Sequence, residues 1–191
     1  NATENRRGFQ PRGKTLGGSS AINAMLYIRG QKEDYNAWYA LGNQGWSYDD
    51  VLPYFKKAEN NGSFDDSFHG QNGPLSVSNL RNENIFSEAF IESGKKLHQF
   101  NTDFNGQDQE GVGYYQVTQK DGKRCSAAKA YLEPIKNREN LTIYTDMQAY
   151  RIIVENDTAS AVELIDDNQE KIIINANKEI ILSAGAFGSP Q

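Results

Sequence analysis

The sequence predicts a mixed α/β fold with helices and strands both well represented, and three observations predict it. Apolar residues recur at helical spacing in the first half, as in Tyr35, Trp38, Tyr39 and Leu41, and again in Ile85, Phe86, Ala89 and Phe90. After Asn140 the pattern changes to short β-type runs bounded by turn residues. Near the start, a glycine-rich turn, Gly13-Lys14-Thr15-Leu16-Gly17-Gly18-Ser19-Ser20, opens a segment of small and apolar residues.

Taken in order, Asn1 to Arg12 read as an extended lead-in, polar and interrupted by Pro11. Ala21 to Leu26 are predicted to form a short buried helix with Ser19 or Ser20 as N-cap. The helix through Tyr35 and Leu41 is stopped by Gly42-Asn43. Ser47, three residues before Asp50, forms a capping box ahead of Val51, Leu52, Phe55 and Ala58. Asn60 to Asn72 read as an exposed loop, followed by a short strand around Leu75-Ser76-Val77. The helix from Ile85 is expected to run to about Leu97. Val112 to Val117 alternate like a strand whose one face lines a cavity, and Asp121-Gly122 supply the positive-φ residues of a hairpin turn. Ser126 is expected to cap a helix over Ala127 to Leu132 that Pro134 ends. The tail reads as strands over Leu141 to Tyr144, Ala149 to Val154, Ala159 to Leu164, Lys171 to Ile174 and Glu179 to Ser183, the last entering the small-residue turn Ala184 to Pro190.

The 191 residues are 37% hydrophobic and 24% charged, with 10 Tyr and 9 Phe, a composition of a globular chain. The net charge of −5 and the lack of a basic run argue against nucleic acid as a partner. No apolar run approaches the ~20 residues of a membrane span. Cys125 is the only cysteine, which excludes an intrachain disulfide and a cysteine-rich metal site, and His69 and His98 are the only histidines, so no metal is expected. The chain begins at Asn1 rather than Met and stops at Gln191 after a strand-to-turn sequence; both ends are expected to be cuts.

Gly17 and Gly18 remove two Cβ atoms beside hydroxyl residues, where main-chain N–H groups favour an anion such as a phosphate. By itself that pattern is mostly an ordinary cap. It is not a P-loop, because Lys14-Thr15 precede the glycines. The pairs Asp49-Asp50, Asp65-Asp66 and Asp166-Asp167 read as solvated caps and turns rather than a metal site, Trp38 and Trp46 as core anchors, and His98 as a helix-end residue. Asn156-Asp157-Thr158 fits the glycosylation acceptor pattern without implying a compartment.

The whole run from Gly13 to Gly30 resembles the first signature of the glucose-methanol-choline (GMC) oxidoreductases. The similarity continues through Asp34-Tyr35-Asn36-Ala37-Trp38, Asn43-Gln44-Gly45-Trp46-Ser47, Leu52-Pro53-Tyr54-Phe55, His69-Gly70-Gln71-Asn72-Gly73-Pro74-Leu75 and Asp103-Phe104-Asn105-Gly106. Ile180 to Pro190 resemble the strand entering the second signature. The resemblance is nearest to choline and aliphatic primary-alcohol dehydrogenases. It implies part of an FAD/NAD(P)-binding Rossmann-like domain with part of an antiparallel-sheet substrate domain: residues 1–60 a segment of the FAD-binding domain, 61–135 mainly substrate domain and connection, 136–191 a return to the FAD-binding domain.

By the same resemblance FAD is the cofactor. Leu16, Gly17, Gly18, Ser19, Ser20, Asn23, Ala24, Met25 and Leu26 are expected along it, with Ala149 near the adenine and Ser183, Ala184 and Gly185 at a close main-chain approach. Ile22 stands where some relatives carry a flavin-linked histidine, so FAD is expected to be non-covalent. His69 matches a structural His-Gly segment, and Arg124-Cys125-Ser126 a segment packed near the active cavity, with Cys125 an inert buried thiol. No catalytic residue is assigned within the chain; the catalytic histidine and the dinucleotide glycine turn are expected outside it, leaving residues 1–191 alone inactive. The implied activity is oxidation of a primary alcohol to an aldehyde, with electrons passed to a quinone, dye or respiratory chain, in the cytoplasm or at the periphery of an inner membrane. An oxygen-using oxidase, and a non-redox flavin-binding or lyase relative, are the open alternatives.

Overall fold

The computed structural model of the chain describes residues 6–190. The lead-in from Asn1 therefore begins outside the described residues, Gln191 also lies outside them, and Arg6 to Lys14 have no regular secondary structure. The chain divides into two compact units, Asn1–Arg138 and Glu139–Gln191.

In the first unit, α1 (Lys32–Ala40) starts with a capping box in which the Gln31 N–H donates to Asp34 Oδ2 at 3.0 Å, and Gly42 at φ 98° follows its end. α2 (Tyr48–Ala58) is capped as the sequence predicts: Ser47 Oγ accepts from the Asp50 N–H and Asp50 Oδ2 from the Ser47 N–H. Trp38 and Trp46 are not core anchors. They are 47% and 51% exposed and meet edge-on, 5.7 Å between ring centroids, Trp38 from α1 and Trp46 from the connection that follows it. The expected exposed loop at 60–72 is also corrected. β1 (Glu59–Asn61) follows α2 directly, pairs in parallel with β2 (Leu75–Val77) and buries Glu59 and Asn61, and the loop between the strands turns His69 into the interior. Gly70 and Gly73 permit this, since a Cβ at either would fall 1.9 Å from Lys56 O or 2.3 Å from Ala58 C.

α3 (Ile85–Gly94) is capped by Asn84 Oδ1, which accepts from the Phe86 N–H. It ends earlier than expected, at Gly94, whose missing Cβ would sit 2.9 Å from Val112 Cγ2; Leu97 and His98 are held by turn bonds to Gly94 O. The predicted strand over Val112 to Val117 forms isolated bridges instead of a ladder: Val112 to Phe100, and Val117 to both Leu26 and Ser78. Val117, 2% exposed, and Val77, fully buried, anchor this core. Tyr114 and Tyr115, neighbours that strand alternation would place on opposite faces, both line a cavity of about 250 Å³ with Phe64 and Phe100, so the expectation of a single cavity-lining face is corrected. β3 (Gln119–Lys120) and β4 (Lys123–Arg124) form the hairpin around Asp121-Gly122, both at positive φ. A π-helical turn, Ala128–Leu132, follows, with Ser126 Oγ accepting from the Lys129 N–H at 3.3 Å. Pro134 does not end it but sits at the start of a 3-10 turn, Glu133–Ile135, where its missing N–H has no helical partner to lose.

The second unit is a three-stranded antiparallel sheet of β5 (Met147–Glu155), β6 (Thr158–Asp166) and β7 (Lys171–Asn175) in that order, followed by a single turn, α4 (Gly185–Gly188). Asn156 and Asp157, at φ 49° and 61°, make the tight β5–β6 connection. Asp166 Oδ1 accepts from the Asn168 and Glu170 N–H groups, the solvated-turn role expected of that acidic pair. Central Glu163 accepts from Arg151 Nε on one side and Lys171 Nζ on the other; these bonds hold its carboxyl below the usual range despite burial. Leu141 to Tyr144 and Glu179 to Ser183 are not strands here: no strand pairs with them among the described residues, and β propensity without a partner does not make a ladder.

Candidate functional site

The residues singled out in the first unit form one continuous turn whose conformation is set by glycine. Gly17 (φ 90°) and Gly18 (φ 54°) occupy the left-handed region that Cβ-bearing residues avoid, and together they lead into a 3-10 turn, Gly18–Ala21. Their neighbourhoods differ. A Cβ on Gly17 would press on Ala128 N at 3.2 Å and Ser126 Oγ at 3.3 Å, whereas one on Gly18 would meet nothing within 4 Å. Gly17 is bare so that the turn packs against the π-helical segment. Gly18 is bare toward open space.

The predicted helix over Ala21 to Leu26 does not form. Asn23 Oδ1 accepts from the Met25 N–H at 3.0 Å, Met25 turns the chain at φ 64°, and Leu26 bridges to Val117, a tertiary pairing that overrides local propensity. Neither serine caps a helix; the N-cap is Gly17, without a side-chain cap bond. Ser20 Oγ instead donates to Gly17 O at 2.5 Å and accepts from the Ala127 N–H at 2.9 Å. Arg124 Nη1 donates to Ser20 O at 3.1 Å and Asn23 Oδ1 at 2.8 Å, and the Thr118 and Tyr27 N–H groups donate to Met25 O and Gln116 O. The turn is thus fixed from behind by residues 116–128. Its other side is open and apolar: Leu16, Ile22 and Leu26 are 49%, 51% and 54% exposed, with Asn23 and Ala24 exposed between them.

Next to this surface lies a cluster of buried charge that the sequence pattern did not announce. Arg29 Nη2 donates to Glu59 Oε2 at 2.5 Å, His69 Nδ1 lies 3.1 Å from Glu59 Oε1, and His69 Nε2 lies 3.0 Å from Asp103 Oδ2. Arg29, Glu59 and His69 are all buried. Burial opposes the charged form of His69, but its hydrogen bonds to Asp103 and Glu59 and their negative charges outweigh it and raise the imidazole from its ordinary value to about 9. Burial likewise pushes the Glu59 and Asp103 carboxyls up, and the bonds from His69, with the Gly70 and Asn105 N–H groups, bring both below their ordinary values. The four charges alternate along the contacts and cancel. Asn61 Nδ2 donates to Glu59 Oε1 and Gln116 Oε1, tying the cluster to the segment behind the glycine turn.

Asp66, His69 and Asp103 bring ligand-type atoms within 4.8 Å of one another. Both ring nitrogens of His69 are engaged by carboxylates, Nδ1 with Glu59 and Nε2 with Asp103, so the imidazole bridges two acidic side chains. His69 keeps the structural role expected of it. Cys125 is buried in the first unit, as expected of an inert thiol. In the second unit, Ala149 lies on the edge strand β5 beside a register shift, paired with Leu164. Ser183 to Gly185 lead into α4, Gly185 at φ 87° with open space where a Cβ would stand, and the Ala184 N–H donates to Ser189 Oγ. Sequence reasoning overlooked Arg124 as the clamp on Asn23. Its signal was the Arg-Cys-Ser segment next to a hairpin turn, but residues 101 positions apart cannot be paired by pattern.

Comparison with known proteins agrees with this architecture. The family model described as GMC oxidoreductase matches residues 1–191. The chain is 47% identical over 186 residues to an alcohol dehydrogenase [acceptor] of Pseudomonas putida, covering 96% of this chain and 34% of that protein. It is 44% identical over 188 residues to an oxygen-dependent choline dehydrogenase of Rhizobium johnstonii, covering 98% and 34%. An FAD-dependent oxidoreductase from Chaetomium thermophilum superposes with a TM-score of 0.88 at 28% identity, covering 94% of this chain and 34% of that one. The chain therefore spans about a third of the length of these relatives. Among the described residues no helix is long and apolar enough to cross a membrane. With a matching family model over its full length and a mixed helix-and-strand fold shared with solved members, the chain belongs to the GMC oxidoreductase family.

Proposed function

We propose that this chain is the part of an FAD-dependent alcohol oxidoreductase that carries the flavin-facing turn, acting on a choline-like or aliphatic primary alcohol. The observation that carries the reading is the one-sided turn from Leu16 to Leu26, rigidly backed by residues 116–128 and open on an apolar face with Gly18 uncovered. Those residues fit a flavin: a flat aromatic ring system needs an apolar surface, and an extended dinucleotide needs a main chain without Cβ obstruction. FAD when bound accepts a hydride from the alcohol carbon, giving the aldehyde. Gly17, Gly18, Ser19 and Ser20 offer main chain along its pyrophosphate; Leu16, Ile22, Met25 and Leu26 exclude water beside the ring; Asn23 and Ala24 lie against it.

Ile22 has no atom that bonds covalently to a flavin, so the cofactor is held by contacts alone. Ala149 is assigned to the adenine end and Ser183, Ala184 and Gly185 to a second close approach. Segments 1–60 and 136–191 belong, in this reading, to the FAD-binding domain and 61–135 mainly to the substrate domain. The proton acceptor is assigned outside residues 1–191. The test is anaerobic: the complete protein, purified yellow, is mixed with choline or a primary aliphatic alcohol, and bleaching of the flavin is expected. Acid precipitation should release the flavin into the supernatant. A colourless protein, or one whose flavin no alcohol bleaches, overturns the reading. Hydrogen peroxide formed in air distinguishes oxygen from a quinone or dye as acceptor.

A further inference from the structure

We propose that Arg124 is a positioning residue for the flavin-facing turn: by holding the Asn23 carbonyl from behind, it turns the Asn23 amide N–H₂ outward as a hydrogen-bond donor to the bound flavin. The inference rests on the reading of Leu16 to Leu26 as the flavin surface. It begins with a saturated oxygen. Asn23 Oδ1 accepts from the Met25 N–H at 3.0 Å and from Arg124 Nη1 at 2.8 Å, and an amide oxygen has two lone pairs. A flipped amide would set its N–H₂ against both donors. The Arg124 guanidinium therefore fixes which end of an exposed side chain faces outward.

Arg124 is itself well placed to do so. It closes the β3–β4 hairpin, and the same Nη1 reaches Ser20 O at 3.1 Å, spanning the turn. Its position does not depend on Asn23 alone, because the Ala127 N–H donates to Ser20 Oγ and Ala128 packs on Gly17. The cation also polarises the Asn23 carbonyl, which makes the opposite N–H₂ a stronger donor. A donor facing the flavin favours the electron-rich reduced form over the oxidised form. Arg124 then raises the cofactor's reduction potential through Asn23 without touching the cofactor.

The experiment measures the flavin midpoint potential of the complete, FAD-loaded protein, normalised to flavin content, for Arg124→Met, Asn23→Ala, the double variant and Arg124→Lys. Arg124→Met and Asn23→Ala are each expected to lower the ratio of reduced to oxidised FAD affinity roughly tenfold, a potential about 30 mV more negative for a two-electron couple. The double variant should fall no further than either single, because Arg124 acts through Asn23. Arg124→Lys, which keeps a cationic donor, should stay near the wild-type potential. An unchanged potential in Asn23→Ala overturns the inference even if Arg124→Met holds no FAD. So does an Arg124→Met shift that persists in the Asn23→Ala background, since a purely structural or long-range charge effect would add. Wild-type protein without FAD overturns the functional reading itself, whereas yellow wild type with unshifted variants overturns only the role of Arg124.

Discussion

Two neighbouring regions of the first unit are built on opposite terms. Around His69, Arg29, Glu59 and Asp103 complete a set of four ionisable groups joined in a chain of alternating charge, three of them buried. From Leu16 to Leu26, glycine, alanine and leucine leave an open apolar face over a main chain fixed from behind. The residues that look chemical serve as scaffold, and the plain ones form the candidate site. Titratable side chains are therefore a poor guide where the chemistry belongs to a cofactor.

The contrast breaks hardest at Glu59. Glu59→Leu leaves Arg29 buried without its counter-charge and His69 with Asp103 alone, and a loss of about 3–5 kcal/mol is expected in denaturant unfolding of the complete protein. A loss below 1 kcal/mol would mean that the cluster is not the scaffold described here. The next largest effect is pH dependence. The folded imidazole of His69 titrates at about 9, above its ordinary 6.5, so its contribution is complete below pH 6.5 and fades as pH rises through 9. The loss amounts to up to about 3 kcal/mol. Unfolding curves across that window should converge for wild type and His69→Gln.

The open region answers differently. In Gly18→Ala the added methyl meets no protein atom but carries φ 54°, so a stability cost of only about 1–2 kcal/mol is expected. FAD affinity should nevertheless drop at least tenfold, read by flavin fluorescence on titration. Equal FAD affinity would show that nothing approaches that face. The smallest effect serves as control. Lys129→Met removes an exposed i,i+4 pair with Glu133 and should change unfolding by no more than about 0.5 kcal/mol, against which the Glu59 result is judged.

Much of the fold was legible because its signals are local. Ser47 and Asp50 announced the start of α2, Asp121-Gly122 announced a hairpin, and the short β-type runs from Ala149 to Ile174 announced the three strands of the second unit. Legibility failed where distant partners decide. Ala21 to Leu26 have helical propensity, yet Val117 and Arg124 draw them into an extended turn. The loop holding His69 has a polar, glycine-rich composition that reads as solvent-exposed. It folds inward because Glu59 and Asp103 wait for the imidazole there. The candidate site was readable as a stretch of chain, through its glycines and its resemblance. The clamp that makes it a surface was not.

That clamp also sets a timetable for synthesis. Asn23 and Arg124 are 101 residues apart, and a ribosome adding roughly 5–20 residues per second needs on the order of 5–20 s to connect them. Throughout that interval Leu16, Ile22 and Leu26 are exposed on a nascent chain whose turn has no backing. The segment from Leu16 to Leu26 is made early but receives its backing only late.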